Sequence, residues 1–325
     1  MKDLSKDAAQ RLTVEEAGAG QRIDNFLLRH CKGVPKSHVY RILRSGEVRL
    51  NSSRVKPDAR LAAGDVVRIP PLRVAAPSRE AARALGRAKA SPLRILYEDE
   101  ALVAIDKPAG LAVHGGSGVS FGLIEQLRAA RPAAPFLELV HRLDRETSGI
   151  LLVAKQRSAL TKLHAALREG RVDKRYLVLV RGKWRDALRR VDLPLHKFVT
   201  GEGERRVRVE RELGKTATTV FRRSRAWQGD PPLSLLEAEL RTGRTHQIRV
   251  HLTHLGFPLA GDDKYGDFGW NRTLAKRGLK RMFLHAWRIS LPHPLGGHTL
   301  SFESPLPQEL AGFVQQLDSA RQGDD

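Results

Sequence analysis

The run SGILLVAK at residues 148–155 constrains this chain more than any other feature. Ile150 to Ala154 are continuously apolar, and a short run of this kind reads as a buried strand. Directly before it stand His141, Arg142, Asp144, Arg145 and Glu146. Charge is costly to bury without a partner, and a packed core alone does not need it. In an extended segment alternate residues share a face. Leu139, His141 and Leu143 then point one way, and Val140, Arg142 and Asp144 the other. Arg142 and Asp144 can therefore serve one cleft. A salt bridge at a strand end is the plainer alternative.

The segments around this run alternate in the same mixed manner. LRILYEDEALVAIDKPAG predicts a hairpin turning near Glu98–Glu100, and FGLIEQLRAARP a helix ended by Pro132. LELVHRLD, SGILLVAK, KRYLVLVRG and LSLLEAEL read as strands. SALTKLHAALREG reads as a helix with Leu160, Leu163 and Leu167 as its stripe and Gly170 as its stop. Strands outnumber scattered helices, so residues 93–318 are expected to form an α+β domain with a mostly antiparallel sheet.

Residues 21–70 read as a separate small unit. Ile23, Phe26 and Leu27 share one helical face; Pro35 and Lys36 open a second helix in which Val39, Ile42 and Leu43 recur at helical spacing. Gly46 stops that helix, and EVRLN and DVVRIP follow as short strands with turns at Asn51 and Gly64-Asp65. Lys36, His38, Arg41 and Arg44 leave the second helix basic on its free side, where Lys36, Arg41 and Arg44 are candidate phosphate contacts. Residues 1–20 and 319–325 are expected to be flexible ends, and 71–92 a basic linker.

Composition narrows the partner. Against 57 Lys and Arg stand 36 Asp and Glu, a net charge of +21, which favours a polyanion such as nucleic acid. Cys31 stands alone, so neither an internal disulfide nor a cysteine metal cluster is available. MKDLSKDAAQRL has no apolar signal core, and no run of about eighteen apolar residues suggests a membrane span, so a cytoplasmic location is expected. Gly214–Thr216 lacks the upstream glycine of a phosphate loop, because position 209 is Val. His114–Gly118 is not a nucleophile elbow, because position 119 is Val. His246, His251 and His254 lack the cysteine or carboxylate ligands that zinc sites usually add, so no metal is expected.

Two further segments turn the cleft into a candidate active site. ELRTGRTHQIRVHLTHLG runs from a strand through Gly243 into a helix ended by Gly256, with Ile248, Leu252 and Leu255 as its buried stripe. Arg249 lies about 100° from Ile248, on the flank of that stripe, where it can hold a carboxylate by a bidentate contact. KRYLVLV places Tyr176 at the start of an apolar strand. A carboxylate, an arginine and a tyrosine then stand at the mouths of core elements.

The N-terminal pattern resembles the alpha-L RNA-binding motif of the ribosomal small-subunit protein S-four. DKPAG (Asp106–Gly110), HRLDRETSG and RTGRTHQIRVH together resemble the RluA family of pseudouridine synthases, with the likeness extending over roughly residues 93–310. The resemblance implies isomerisation of uridine to pseudouridine in large-subunit (23S) ribosomal RNA, without a cofactor, by a monomeric enzyme. It implies that Asp144 is the catalytic aspartate, that Tyr176 packs against the target base, and that Arg249 pairs with the aspartate. Arg142 matches an arginine that fills the space of the flipped-out nucleotide; Lys107, Arg244 and His246 are the other candidate substrate contacts. A non-catalytic RNA-binding factor and a glycoside hydrolase are the alternatives. The latter needs a second carboxylate, and Glu146 has no evident reason to face the same site.

Overall fold

A computed structural model describes residues 8–31, 34, 36–72, 93–115 and 121–322. The Lys36 side chain and the linker expectation from Arg73 onward lie outside the described residues. The chain forms two compact units; among the described residues the first holds those up to Leu72 together with 132–136, and the second holds 93–131 and 137–322.

In the first unit β1 (Gln10–Thr13) precedes α1 (Ile23–His30) and α2 (Lys36–Ser45), followed by β2 (Arg49–Leu50), β3 (Ser53–Arg54) and β4 (Val66–Ile69). The strands order as β1-β4-β2-β3. Ile23, Phe26 and Leu27 of α1 and Val39, Ile42 and Leu43 of α2 bury their shared faces in one core, as their spacing predicts. Gly46 takes a φ of 74° and ends α2 in the left-handed region, where glycine is favoured. Arg41 and Arg44 stay exposed, Arg44 Nε donating to Tyr40 O at 3.2 Å. The expectation of a flexible stretch over residues 1–20 needs correction. Gln10–Thr13 is a strand paired in register with Val66–Ile69, and Val14 is buried. Its polar alternation hid it, because one face of a short edge strand meets solvent.

The second unit begins with β5 (Arg94–Glu98), β6 (Leu102–Lys107), α3 (Leu123–Ala130), β7 (Glu138–Leu139), β8 (Ser148–Ala154) and α4 (Arg157–Arg168). It continues with β9 (Asp173–Arg181), β10 (Leu188–Asp192), β11 (Leu195–Val199), β12 (Arg205–Val209), β13 (Thr218–Trp227) and β14 (Leu233–Leu240). It closes with α5 (Gln247–His254), α6 (Phe268–Lys276), β15 (Leu284–Pro292), β16 (Thr299–Glu303) and α7 (Gln308–Gln322). One ten-stranded sheet runs β10-β13-β14-β9-β15-β8-β6-β5, with β16 on β15 and β7 on β8. Only the β15–β8 pairing is parallel, so the α+β class with a mostly antiparallel sheet holds. β11 and β12 form a separate hairpin. All seven residues of β8 are buried, which fits its unbroken apolar run.

Three expectations change here. LELVHRLD is a strand only at Glu138–Leu139. Val140 N–H still donates to Leu152 O, but the His141 ring then takes the Leu152 N–H at 3.2 Å. A side chain thus replaces the next backbone acceptor, the ladder ends, and the chain leaves the sheet as the loop that carries Asp144. Tyr176, expected at the start of its strand, is the fourth residue of β9. α7 runs to Gln322, so residues 319–322 are helical rather than a flexible end, and Leu310, Phe313, Val314 and Leu317 join the core beside Trp227 and Trp270.

Gly149 sets how closely β8 and β15 approach. Its φ is 108°, and a Cβ there would stand far inside van der Waals contact with Ala286 O. Gly149→Ala should cost roughly 2–5 kcal/mol, combining backbone strain with overpacking. Urea denaturation of the variant checks this, and an unchanged midpoint would mean that the strand pair relaxes freely.

Candidate active site

The Asp144 loop is clamped from behind. Lys107, at the end of β6, is fully buried and its Nζ donates to Pro108 O at 2.8 Å, Leu111 O at 2.9 Å and Arg145 O at 3.0 Å. Arg145 Nε donates to Gly110 O at 3.0 Å, so the DKPAG and HRLDRE loops are laced in both directions. Arg281 Nη2 adds bonds to Ser148 Oγ at 2.8 Å and Glu146 O at 3.3 Å. Burial pushes the Lys107 ammonium down to about 7, while Glu146 and Asp144 pull the other way. Lys107 therefore departs from the substrate contact expected of it. All three of its bonds go to loop carbonyls, and it does not line the cavity beside Asp144.

Arg249 extends from α5 to two carboxylates. Its bidentate partner is Asp262, with Nε to Oδ2 at 2.8 Å and Nη2 to Oδ1 at 2.6 Å. Its Nη1 donates to Asp144 Oδ2 at 3.1 Å. The side chains of Arg249, Asp262 and Asp144 are 6%, 0% and 25% exposed. Asp262 Oδ1 also accepts the Lys264 and Tyr265 backbone N–H groups. Burial alone would raise the Asp262 carboxyl; its bonds to Arg249 and to those amides hold it below the usual carboxylate range instead. Burial likewise works against the Arg249 guanidinium, and the charges of Asp262 and Asp144 more than offset it.

His246 caps α5 from the left-handed region, at φ 53° and ψ 24°. Its Nε2 lies 3.7 Å from Asp144 Oδ1, and its Nδ1 lies 2.8 Å from Tyr265 Oη. The Tyr265 hydroxyl accepts from Val207 N–H and can donate to Nδ1, which leaves the Nε2 proton facing Asp144. Burial lowers the His246 pKa, against the pull of Asp144. The Tyr265 ring also lies beneath the Arg249 guanidinium, 5.1 Å away. His251, by contrast, is a core histidine bonded to Thr219 Oγ1 and Leu193 O.

Tyr176 stands on the central strand β9 between two small neighbours, Ala238 of β14 and Ala286 of β15. That spacing leaves room over the ring. Burial raises its hydroxyl's pKa, and the Asp144 charge adds to the rise. Arg142, Asp144, Tyr176, Arg244, His246 and Arg249 all line one pocket. Arg142 is exposed at its rim, and Arg244 is steadied by Nε donating to Thr216 O at 3.0 Å. Beside it a groove of about 750 Å³ is lined by Arg142, Asp144 and Tyr176 together with Arg168, Lys174 and Lys197. That volume lies within the usual range of ligand sites. Glu146 lines a different recess, beside Lys280, Arg281 and Glu309. Sequence reasoning missed Asp262, Tyr265, Arg168, Lys174 and Lys197. GDDKYG offered only a local cluster of charge, with nothing to say which aspartate would meet Arg249.

A carboxylate held by a buried arginine and a tyrosine at the floor of a cationic groove suit an enzyme that acts on a polyanion. The sequence model described as RNA pseudouridylate synthase matches residues 101–254, and the S4 domain model matches residues 21–67. The chain belongs to the RNA pseudouridylate synthase family, and it is an isomerase. Among individual proteins it is similar to ribosomal large subunit pseudouridine synthase C of Haemophilus influenzae, with 49% identity over 97% of this chain and 97% of that protein. The same-named protein of Pasteurella multocida is 52% identical over 95% of this chain and 94% of its own length. The solved structure of human RNA pseudouridylate synthase domain containing 1 superposes with a TM-score of 0.56 at 26% identity, covering 71% of this chain and 95% of that one.

Arg249→Met should leave Asp262 buried without its partner and destabilise the fold by roughly 3–5 kcal/mol at neutral pH. In the parent the Asp262 carboxyl is depressed. Its contribution is present above the unfolded value of about 4 and is lost as pH falls through the folded value. In the variant burial acts with Arg249 gone, so the folded value should rise above the unfolded one. The deficit against the parent should then shrink as pH falls toward about 4. Chemical denaturation of both proteins between neutral and mildly acidic pH checks the sign; a deficit that grows on acidification contradicts the account.

Proposed function

We propose that this enzyme isomerises uridine to pseudouridine in large-subunit (23S) ribosomal RNA, with Asp144 as the catalytic carboxylate. The observation that carries the reading is the placement of Asp144 against Arg249 and beside Tyr176, at the head of a groove lined by cations. The names of its relatives, ribosomal large subunit pseudouridine synthase C, favour this RNA. In the reaction the N1–C1′ bond breaks, the uracil rotates, and C5 bonds C1′. The C5 proton is exchanged for one at N1, so no atom is gained or lost and no group donor is required. Asp144 serves as an anion, either bonding the substrate at C1′ or C6 or accepting a ribose proton. Arg249 orients it and offsets its charge. Tyr176 supplies the ring on which the detached base rests. Arg142 fills the stack that the uridine leaves, which lessens an unstacking cost of a few kcal/mol. His246 and Arg244 complete the wall around the nucleotide.

The S4 domain supplies grip. Arg41 and Arg44 face solvent on α2, suited to a phosphate backbone. The enzyme acts as a cytoplasmic monomer without a cofactor. Glu146 lies in another recess and Asp262 is fully engaged with Arg249, so the paired carboxylates of a glycoside hydrolase are lacking among the groups beside Asp144.

Asp144→Asn should abolish pseudouridine formation while RNA affinity stays close to that of the parent, because many phosphate contacts supply the affinity. Carbodiimide mapping of unmodified 23S ribosomal RNA after incubation reads the conversion. Residual turnover above about 1% of the parent rate, with deamidation excluded, would remove Asp144 from the chemistry. The Arg41→Gln/Arg44→Gln pair should weaken binding and flatten its salt dependence by nearly two phosphate contacts, about 0.7–0.9 in log–log slope for each. An unaltered slope would take α2 out of the RNA contact.

A further inference from the structure

We propose that Lys174 is a phosphate anchor in the substrate groove, holding the RNA backbone beside the uridine that reacts; the inference rests on the RNA-synthase reading above. Strand alternation on β9 puts Lys174 on the same face as Tyr176 and puts Asp173 and Arg175 on the other. On that far face Arg175 binds Asp173 at 2.8 Å and Glu237 at 2.5 Å. The neighbouring carboxylates are therefore turned away from Lys174. On the near face Lys174 lines the groove of about 750 Å³, and its Nζ lies 3.9 Å from where a Cβ on Gly243 would stand.

The groups around it make its situation unusual. Arg142, Arg168, Lys197 and Arg244 line the same groove, and none of them, nor Lys174, makes an ion pair among the described residues. The one carboxylate in the lining is Asp144, already engaged by Arg249 at 3.1 Å. His141 offers no counter-charge, since burial and then the Lys174 charge push its pKa to about 4. Burial also pushes the Lys174 pKa down, with only Asp173 pulling it up. A half-buried cation among cations, with no ion pair of its own among the described residues, weakens the empty fold and becomes favourable once an anion arrives. RNA carries such an anion at every nucleotide. Two residues along a strand span about 7 Å, so a phosphate on Lys174 lies within one nucleotide's reach of a base resting on Tyr176.

Lys174→Met tests this, because an anchor and a structural lysine predict opposite changes in stability. The full chain is melted with and without 23S ribosomal RNA, and its affinity for in vitro transcribed 23S ribosomal RNA is measured over a potassium chloride series. Without RNA, the variant should melt at the parent's temperature or above it. Its affinity should fall about tenfold or more, the usual effect of losing one charge-assisted contact. The log–log salt slope should drop by about one contact. Lys174→Gln should behave in the same way. Lower melting temperatures in both variants would make Lys174 structural and overturn the proposal. So would an unaltered affinity and slope. A variant that binds as the parent does but no longer forms pseudouridine would place Lys174 at the reacting atoms instead, and would likewise overturn the phosphate assignment. The binding and melting arms need no turnover. A parent that binds this RNA but forms no pseudouridine would therefore count against the proposed reaction alone and leave the test of Lys174 intact.

Discussion

One guanidinium holds two carboxylates of unequal burial, and the geometry of the site depends on it. Arg249 gives two of its hydrogen bonds to Asp262, which is wholly buried, and one to Asp144, which is a quarter exposed. A buried arginine needs a matched anion, and Asp262 provides it with bidentate geometry and further backbone donors of its own. Asp144 is thereby relieved of any structural duty as the counterion. It receives one arginine hydrogen bond for orientation and keeps its remaining acceptor capacity toward the pocket. A site with Asp144 alone would have to choose between neutralising Arg249 and meeting substrate.

The same economy appears in how the Asp144 loop is held. A loop that leaves a sheet abruptly gives up its ladder bonds, and its carbonyls need donors. Lys107 and Arg281 supply them from the rear, binding Arg145 O, Glu146 O and Ser148 Oγ. The forward side of the loop, where Arg142 and Asp144 stand, is left to the cavity. Gly149 then lets β8 close on β15, and that closure brings the loop over Tyr176.

Much of this was legible in the sequence, for identifiable reasons. The buried strand at SGILLVAK, the helical stripes of α1, α2 and α4, and the antiparallel character follow from local periodicity, which a single sequence displays directly. The position of Arg249 on the flank of an apolar stripe announced a carboxylate. Which carboxylate was only half legible: the wheel position points inward, but Asp262 lies in the loop after α5, where no periodicity ties it to the helix. Lys107 shows the complementary failure. Its place in DKPAG marks it as important, but the direction of a lysine at a strand end depends on which loop carbonyls lack donors. β1 escaped notice because QRLT is four residues long with half of its surface in solvent. The end of β7 could not be foreseen either, since a histidine ring substitutes for a backbone acceptor there.

The sheet also sorts charge by face, which explains how a strongly basic protein keeps an acidic residue in its substrate cleft. Along β9 and β14 the acidic side chains Asp173, Glu237 and Glu239 share the face of Arg175, where they are consumed in ion pairs with arginines. The opposite face carries Lys174 and Tyr176 toward the groove. Period-two alternation is enough to keep the two sets apart. Had the register of β9 slipped by one residue, Asp173 would face the groove and repel a phosphate backbone, and Lys174 would turn to the face of Glu237 and Glu239 on β14. The net charge of +21 therefore matters less for its size than for where it is left uncompensated. In the groove Arg142, Arg168, Lys174, Lys197 and Arg244 make no ion pair among the described residues, while Arg241 is balanced by Glu239 and Asp144 by Arg249. A polyanion drawn in by that wall reaches Asp144, the carboxylate proposed above to act on it.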